Sequence, residues 1–217
     1  MGSDELVFGV PRSRLERELG VFQGFRAIRE PLVSVAERLE RWGEFRSRDA
    51  VEQDPSWLQL IPYVALTSSA RILLLERLPT QGEPRLHRLR SIGVGGHVNP
   101  EPPGAEPLLV RGLRREIAEE ISLDAEVSPE LLGFIRDDSN DVGRVHFGIA
   151  CRVDLPRPVD VRETDRMTGR WVPLDEVGER EERLESWSRI FFPAIRAAIH
   201  AGTAPAAARS IDPPRAR

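Results

Sequence analysis

Lysine is missing from this chain: all 31 of its lysine-plus-arginine side chains are arginine. Arginine favours bidentate contacts to phosphate, but a compositional bias of the source genome explains the pattern better, and the many Ala, Pro and Gly residues point the same way. Cysteine is nearly absent too. Cys151 stands alone, which excludes an internal disulfide and fits a reducing cytosol. It belongs to the alternation Val145, Phe147, Ile149, Cys151, Val153, so a packed strand position is expected for it. No apolar run approaches the roughly 18 residues of a membrane span. The N-terminus carries Asp4 and Glu5 and lacks an apolar signal core. A soluble, cytoplasmic protein with no membrane partner is expected. Neither sign of charge dominates either. A net charge of -4 gives no bulk electrostatic case for nucleic acid. What remains is ordinary: 217 residues, 40% apolar and 30% charged, enough for one domain with additions or at most two small ones.

Against that background, residues 115–120 stand out. Arg115, Glu116, Ile117, Ala118, Glu119 and Glu120 pack three carboxylates and a guanidinium into six positions of an expected helix. Spacings of three and four stack Glu116, Glu119 and Glu120 on neighbouring faces, where like charges repel. A hard divalent ion among them would relieve that repulsion, since such ions prefer oxygen ligands. A solvated acidic surface is the competing reading.

The context upstream favours the ion. An expected strand over residues 89–94 leads into Gly95, Gly96 and His97, and the acidic helix follows after a loop. Glycine permits a sharp turn and close approach of backbone to a ligand. Together these residues resemble the Nudix hydrolase signature, Gly-x5-Glu-x7-Arg-Glu-U-x-Glu-Glu-x-Gly-U, with U a bulky apolar residue. Gly96 matches the first glycine. Arg115, Glu116, Ile117, Glu119, Glu120 and Leu123 match the second half position by position. Two departures occur. Ser122 replaces the second glycine, and the segment from Gly96 to Arg115 is about five residues longer than the pattern. Glu106 is the nearest candidate for the upstream glutamate, one position out of register, with Pro107 in register. The Pro-rich residues 99–103 read as an inserted loop.

Along the chain, residues 6–10 suggest a strand. Pro11 and Ser13 open a helix that Gly20 ends, and residues 28–42 read partly as an amphipathic helix with Val33, Val35, Leu39 and Trp42 as apolar candidates. Residues 1–55 are expected to form an accessory layer or cover a sheet edge. Strands over 58–66 and 71–78 form a hairpin through Thr67, Ser68 and Ser69, and 81–84 is a loop. The acidic helix starts near Pro107, and Leu109, Leu113, Ile117 and Ile121 form the stripe that packs on the sheet. Strands over 131–136 and 144–153 flank a polar turn, 170–172 is a short strand, and 181–200 closes the fold as a helix. From Gly202 onward an Ala-, Pro- and Arg-rich tail is expected to be disordered.

The resemblance covers about residues 56–201. It implies an α/β fold, a mixed sheet between helical layers (α/β/α) with an N-terminal extension. Residues 91–99 and 137–148 also resemble a bacterial group of MutT-like phosphoesterases. The implied reaction is hydrolysis of a phosphoanhydride in a nucleoside diphosphate-linked substrate. The implied cofactor is Mg²⁺ or Mn²⁺, on Glu116, Glu119, Glu120 and the Gly96 carbonyl. Glu119 or Glu120 would take a proton from water, and Arg115 would orient Glu119 across one helical turn.

Other residues are open to two readings. Asp137, Asp138, Asp141 and Glu163 are candidate remote acids or turn residues. His97 could touch phosphate or a carboxylate, or simply pack its loop. His146 faces the cleft or solvent. Arg136 and Arg144 could reach phosphate or sit as strand-end charges, and no two histidines show metal-ligand spacing. Trp57, Tyr63 and Phe147 could stack on a base, with core packing the better reading for each. The expected partner is a small diphosphate or nucleotide, with a homodimer left open. Two alternatives stand beside the hydrolase: a non-catalytic Nudix-fold binding module, and an isopentenyl diphosphate isomerase, for whose cysteine chemistry Cys151 is poorly placed.

Overall fold

The computed structural model describes residues 5–77, 89–121, 127–162, 167–179 and 181–203. The loop 81–84, Ser122, Leu123, Glu163 and the tail from 204 lie outside the described residues.

Twelve consecutive buried residues make β4 (Trp57–Ser68) the spine of one mixed sheet. Burial on both faces accounts for its near-continuous apolar sequence. One of its edges pairs in parallel with β9 (His146–Asp154). The other edge is shared in turn by β1 (Leu6–Pro11), β7 (Val94–Gly95) and β5 (Arg71–Arg77), all antiparallel. The main order is β10 (Met167–Pro173), β5, β4, β9, β8 (Glu130–Arg136), β2 (Gly24–Ala27), while β3 (Glu44–Ser47) pairs with β1 and β6 (Arg90–Ser91) with β5.

Helices cover both faces. On one lie α1 (Arg12–Leu19), α2 (Leu32–Glu40) and α4 (Leu108–Glu120), joined by a core that includes Leu15, Val35, Leu39, Leu58, Leu60, Leu109, Leu113, Ile117 and Phe147. On the other, α6 (Leu174–Gly178) and α7 (Ser186–Thr203) bury Leu174, Val177, Phe191 and Ile195 against Tyr63, Ala65 and Ile135. The expected α/β/α layering is therefore observed. Residues 6–51 contribute β1, β2, β3, α1, α2 and the short α3 (Arg48–Val51) to these same layers.

Element boundaries differ where local chemistry overrides periodicity. The expected helix over 28–42 begins only at Leu32, because Pro31 lacks an N–H and sits at the N-cap. Val33, placed in its apolar stripe, is 45% exposed. The expected strand over 89–94 is two short ones. The Ser91 hydroxyl bonds both the N–H and the carbonyl of Gly93, kinking the chain from β5 across to β4. The strand expected from 144 starts at His146, because Asn140 caps a one-turn helix, α5 (Asp141–Arg144), by accepting the Gly143 N–H. The closing helix starts at Ser186, after a 3-10 turn (Glu181–Arg183), and runs through Gly202 and Thr203, which sequence assigned to the tail.

Candidate active site

The acidic helix α4 is held at both ends by neighbours. Its N-cap residue, Pro107, offers no capping side chain; Glu40 of α2 accepts the Leu109 N–H instead, at 2.9 Å. At the far end the backbone turns extended at Ile121, and Arg162 donates from its main chain to the Glu120 carbonyl at 2.8 Å. Burial of Leu109, Leu113, Ile117 and Ile121 fixes the helix's rotation about its axis. That rotation leaves Glu116 buried, Glu120 half-buried and Glu119 exposed.

Arg115 is the hub of the site. Its Nη1 lies 2.9 Å from Glu116 Oε1 and 3.2 Å from Glu119 Oε1. Its Nε donates to Glu101 at 3.0 Å, and its Nη2 to the His97 carbonyl at 3.0 Å. One planar guanidinium thus ties two carboxylates of α4 to the loop that follows β7. A forked donor suits this, and a point charge would not. The contact to Glu119 expected from the spacing of four is present.

Glu116 lies against Gly96. A Cβ at position 96 would fall 2.2 Å from Glu116 Oε2, so glycine is needed there for space. Burial raises the proton affinity of Glu116, the Arg115 charge opposes this, and the Glu119 charge adds to it.

Sequence reasoning missed Glu101. It named Glu106 as the upstream acid, but Glu106 pairs with Arg114 at 3.1 Å. Glu101 pairs with Arg115, and with Arg111 at 3.6 Å. The loop at 99–103 therefore brings a further carboxylate, Glu101, against Arg115. Counting forward from Gly96 lands one residue from Glu101; counting back from Arg115 favoured Glu106.

The remaining candidates are placed as follows. His97 is half-buried and meets His146 with Nε2 atoms 3.3 Å apart, a pairing their sequence separation concealed. His146 is buried, not solvent-exposed. Arg136 is buried as well; it donates to the His146 carbonyl at 2.7 Å and pairs with Asp138, so it is neither a surface charge nor directed at α4. Asp137 is an internal turn acid: its carboxylate accepts from the Ser139 N–H and Asn140. Those bonds outweigh burial and hold its pKa below the usual range. Arg144 pairs with Asp141 on the surface. Trp57, Tyr63 and Phe147 are core residues. Cys151 is fully buried, and burial pushes its thiol up, far from a reactive state.

The donors at α4 are oxygens only, and a buried carboxylate that resists ionisation beside a glycine backbone suits a hard divalent ion. Among the described residues, no three His, Cys, Asp or Glu side chains already converge to hold a metal. Glu119 is exposed and paired with Arg115, and Glu120 is half-buried. No helix among the described residues is long and apolar enough to cross a membrane.

A NUDIX domain profile matches residues 57–195. Protein YmaB of Bacillus subtilis is 34% identical over 196 residues, spanning 86% of this chain and 95% of its own. The crystal structure of Tm1382, assigned as a Nudix hydrolase, aligns with a TM-score of 0.76 and 30% identity over 89% of this chain and 100% of its own. A mutT/nudix protein from Listeria innocua, at 16% identity and a TM-score of 0.51 over 66% of this chain and 95% of its own, shares the fold. The profile spans the whole strand, glycine turn and acidic helix on which the Arg115 hub is built, and the chain belongs to the Nudix family.

Proposed function

We propose that this Nudix chain hydrolyses phosphoanhydride bonds in nucleoside diphosphate-linked or related diphosphate substrates, with a divalent metal ion as cofactor. The observation that carries the proposal is the Arg115 hub, which holds Glu116 and Glu119 side by side while Gly96 opens space against Glu116. Carboxylates held together against their own repulsion form a cation site in waiting. Glu116, Glu119, Glu120 and the Gly96 carbonyl would hold Mg²⁺ or Mn²⁺. Such an ion neutralises charge on the diphosphate and makes a water more acidic.

The chain's own groups do the rest. Arg115 fixes the carboxylate spacing. Glu119, with 53% of its side chain exposed, or Glu120 accepts the proton from the attacking water. His97 serves the hub through its backbone carbonyl, which holds Arg115, while its ring turns to His146 and away from a phosphate contact. Arg136 would only support the rim, because its guanidinium is already bonded to the His146 carbonyl and Asp138. A buried Cys151 argues against an isomerase that needs a cysteine.

The test is phosphate or nucleotide release from a panel of nucleoside triphosphates, dinucleoside polyphosphates, nucleotide sugars, dinucleotide cofactors and isoprenyl diphosphates, with Mg²⁺ or Mn²⁺. Turnover of at least one class is expected. Glu116→Gln and Glu120→Gln should each cost on the order of 100-fold or more with the fold retained, as for removal of a transition-state electrostatic group. Near-normal turnover in both variants refutes the site. No metal-stimulated release from any substrate points to a binding module.

A further inference from the structure

His97 and His146 are not used by the carboxylate chemistry, yet their rings meet with Nε2 atoms 3.3 Å apart and planes inclined at 56°. His146 Nδ1 lies 2.6 Å from the Val142 carbonyl oxygen. A carbonyl can only accept, so Nδ1 carries the proton and Nε2 turns a lone pair toward His97.

A second, independent observation lies beside them. Gln59 of β4 is the register partner of His146 on β9, so its side chain rises from the same face of the sheet. Gln59 is fully buried, and neither its amide oxygen nor its nitrogen has a partner. Buried amides are rarely left unsatisfied at both ends, and each such group calls for an explanation.

Without an ion, His97 Nε2–H donates to the His146 Nε2 lone pair; a bound ion would replace that proton and give the Gln59 amide oxygen a partner. Two imidazoles on a tetrahedral metal, each at about 2.05 Å, have nitrogens about 3.3 Å apart. Metal-bound histidines commonly donate their other ring N–H to a backbone carbonyl, as His146 does. We propose that His97 Nε2, His146 Nε2 and the Gln59 amide oxygen form a site for a transition-metal ion of the zinc class, separate from the oxygen-only site on α4. Imidazole donors select such an ion over Mg²⁺. Among the described residues no third His, Cys, Asp or Glu converges there, so these three side chains are the protein's ligands. The nearby Arg48 does not forbid a cation, because it is paired with Glu5 at 2.9 Å and Glu52 at 2.8 Å. The His97 carbonyl also holds Arg115 at 3.0 Å, so an ion on the ring anchors the same residue that steadies the hub.

The test uses the full chain carrying Glu116→Gln and Glu120→Gln, which removes the carboxylate site. Titration with Co²⁺ should give the visible ligand-field bands of a four-coordinate ion, displaced by Zn²⁺. Adding His97→Ala or His146→Ala should weaken binding about 100-fold, at least the upper end of what losing an outer-shell partner costs. Because His146 is buried, its variant could fail to fold, so a measurement on the unmutated chain stands beside it. Nitrogen NMR of the four histidines during Zn²⁺ addition should move the Nε2 resonances of His97 and His146. Absence of ligand-field bands, bands that survive both histidine substitutions, or Nε2 resonances of these two rings that stay fixed would each overturn the proposal.

Discussion

Gly96 and Glu116 compete for one volume: a single carbon added to the glycine would sit 2.2 Å from the carboxylate oxygen. The backbone at Gly96 is not in the left-handed region, which among the described glycines is occupied by Gly20 and Gly24. Alanine at 96 is therefore free of backbone strain, and the nearest atoms its Cβ meets belong to the Glu116 carboxylate. Gly96→Ala should displace Glu116 and leave the fold intact. A displacement of about 1 Å can cost about 100-fold in rate. The melting temperature should stay within a few degrees of the parent. A Gly96→Ala protein of normal activity would remove Glu116 from the chemistry.

Glu116 also sets a pH dependence. Its proton affinity is raised, first by burial. The folded chain then binds that proton more tightly than the unfolded chain, so the ionised group destabilises the metal-free protein above its folded pKa. The penalty disappears as pH falls to the ordinary glutamate value of about 4.3 and below. Glu116→Gln mimics the protonated form. Without divalent ions it should melt higher than the parent at neutral pH, with the gap closing in acid. Thermal melts across pH decide this. A Glu116→Gln variant that melts below the parent at neutral pH, with that deficit vanishing in acid, would mean that Arg115, and not burial, dominates the environment of Glu116.

Much of this arrangement was legible in the sequence because it is local. The spacing of Arg115, Glu116, Glu119 and Glu120 needs only helical geometry, and the stripe from Leu109 to Ile121 needs only period four. The layered fold followed from a resemblance carried by those same residues. What escaped depends on loops and long-range register. Glu101 reaches Arg115 through an irregular loop with no period to count. His97 and His146 meet because β7 and β9 both pair with β4, and no local pattern encodes that. The kink at Ser91 is set by one hydroxyl, in a segment whose apolar residues read as a single strand.

Glu101 and Arg115 should behave as one unit. Arg115→Lys keeps the charge but cannot hold Glu101, Glu116, Glu119 and the His97 carbonyl together. Because the guanidinium is partly exposed, stability should change by only about 1 kcal/mol or less. The rate should fall about tenfold or more through loss of carboxylate position. Glu101→Gln should lower it by a smaller factor. The double variant should be little worse than Arg115→Lys alone, since groups in one network are not additive. Kinetics of the four proteins at saturating metal test this; fully multiplicative losses would show that Glu101 acts independently of Arg115.

Glu40 connects the N-terminal elements to the acidic helix. Pro107 cannot cap α4 with a side chain, and Glu40 Oε1 accepts the Leu109 N–H at 2.9 Å from α2. A carboxylate at that end also complements the helix dipole. Glu40→Ala removes both effects and should cost about 1 kcal/mol, the usual scale of a lost cap. For a chain of this size that is a fall in melting temperature of about 2–4 °C. Glu40→Gln keeps an accepting oxygen and should recover most of the loss. The rate at saturating metal should hardly change in either variant, because Leu109 lies seven residues from Glu116, about two helical turns. An alanine variant that melts like the parent would mean that water caps α4 equally well.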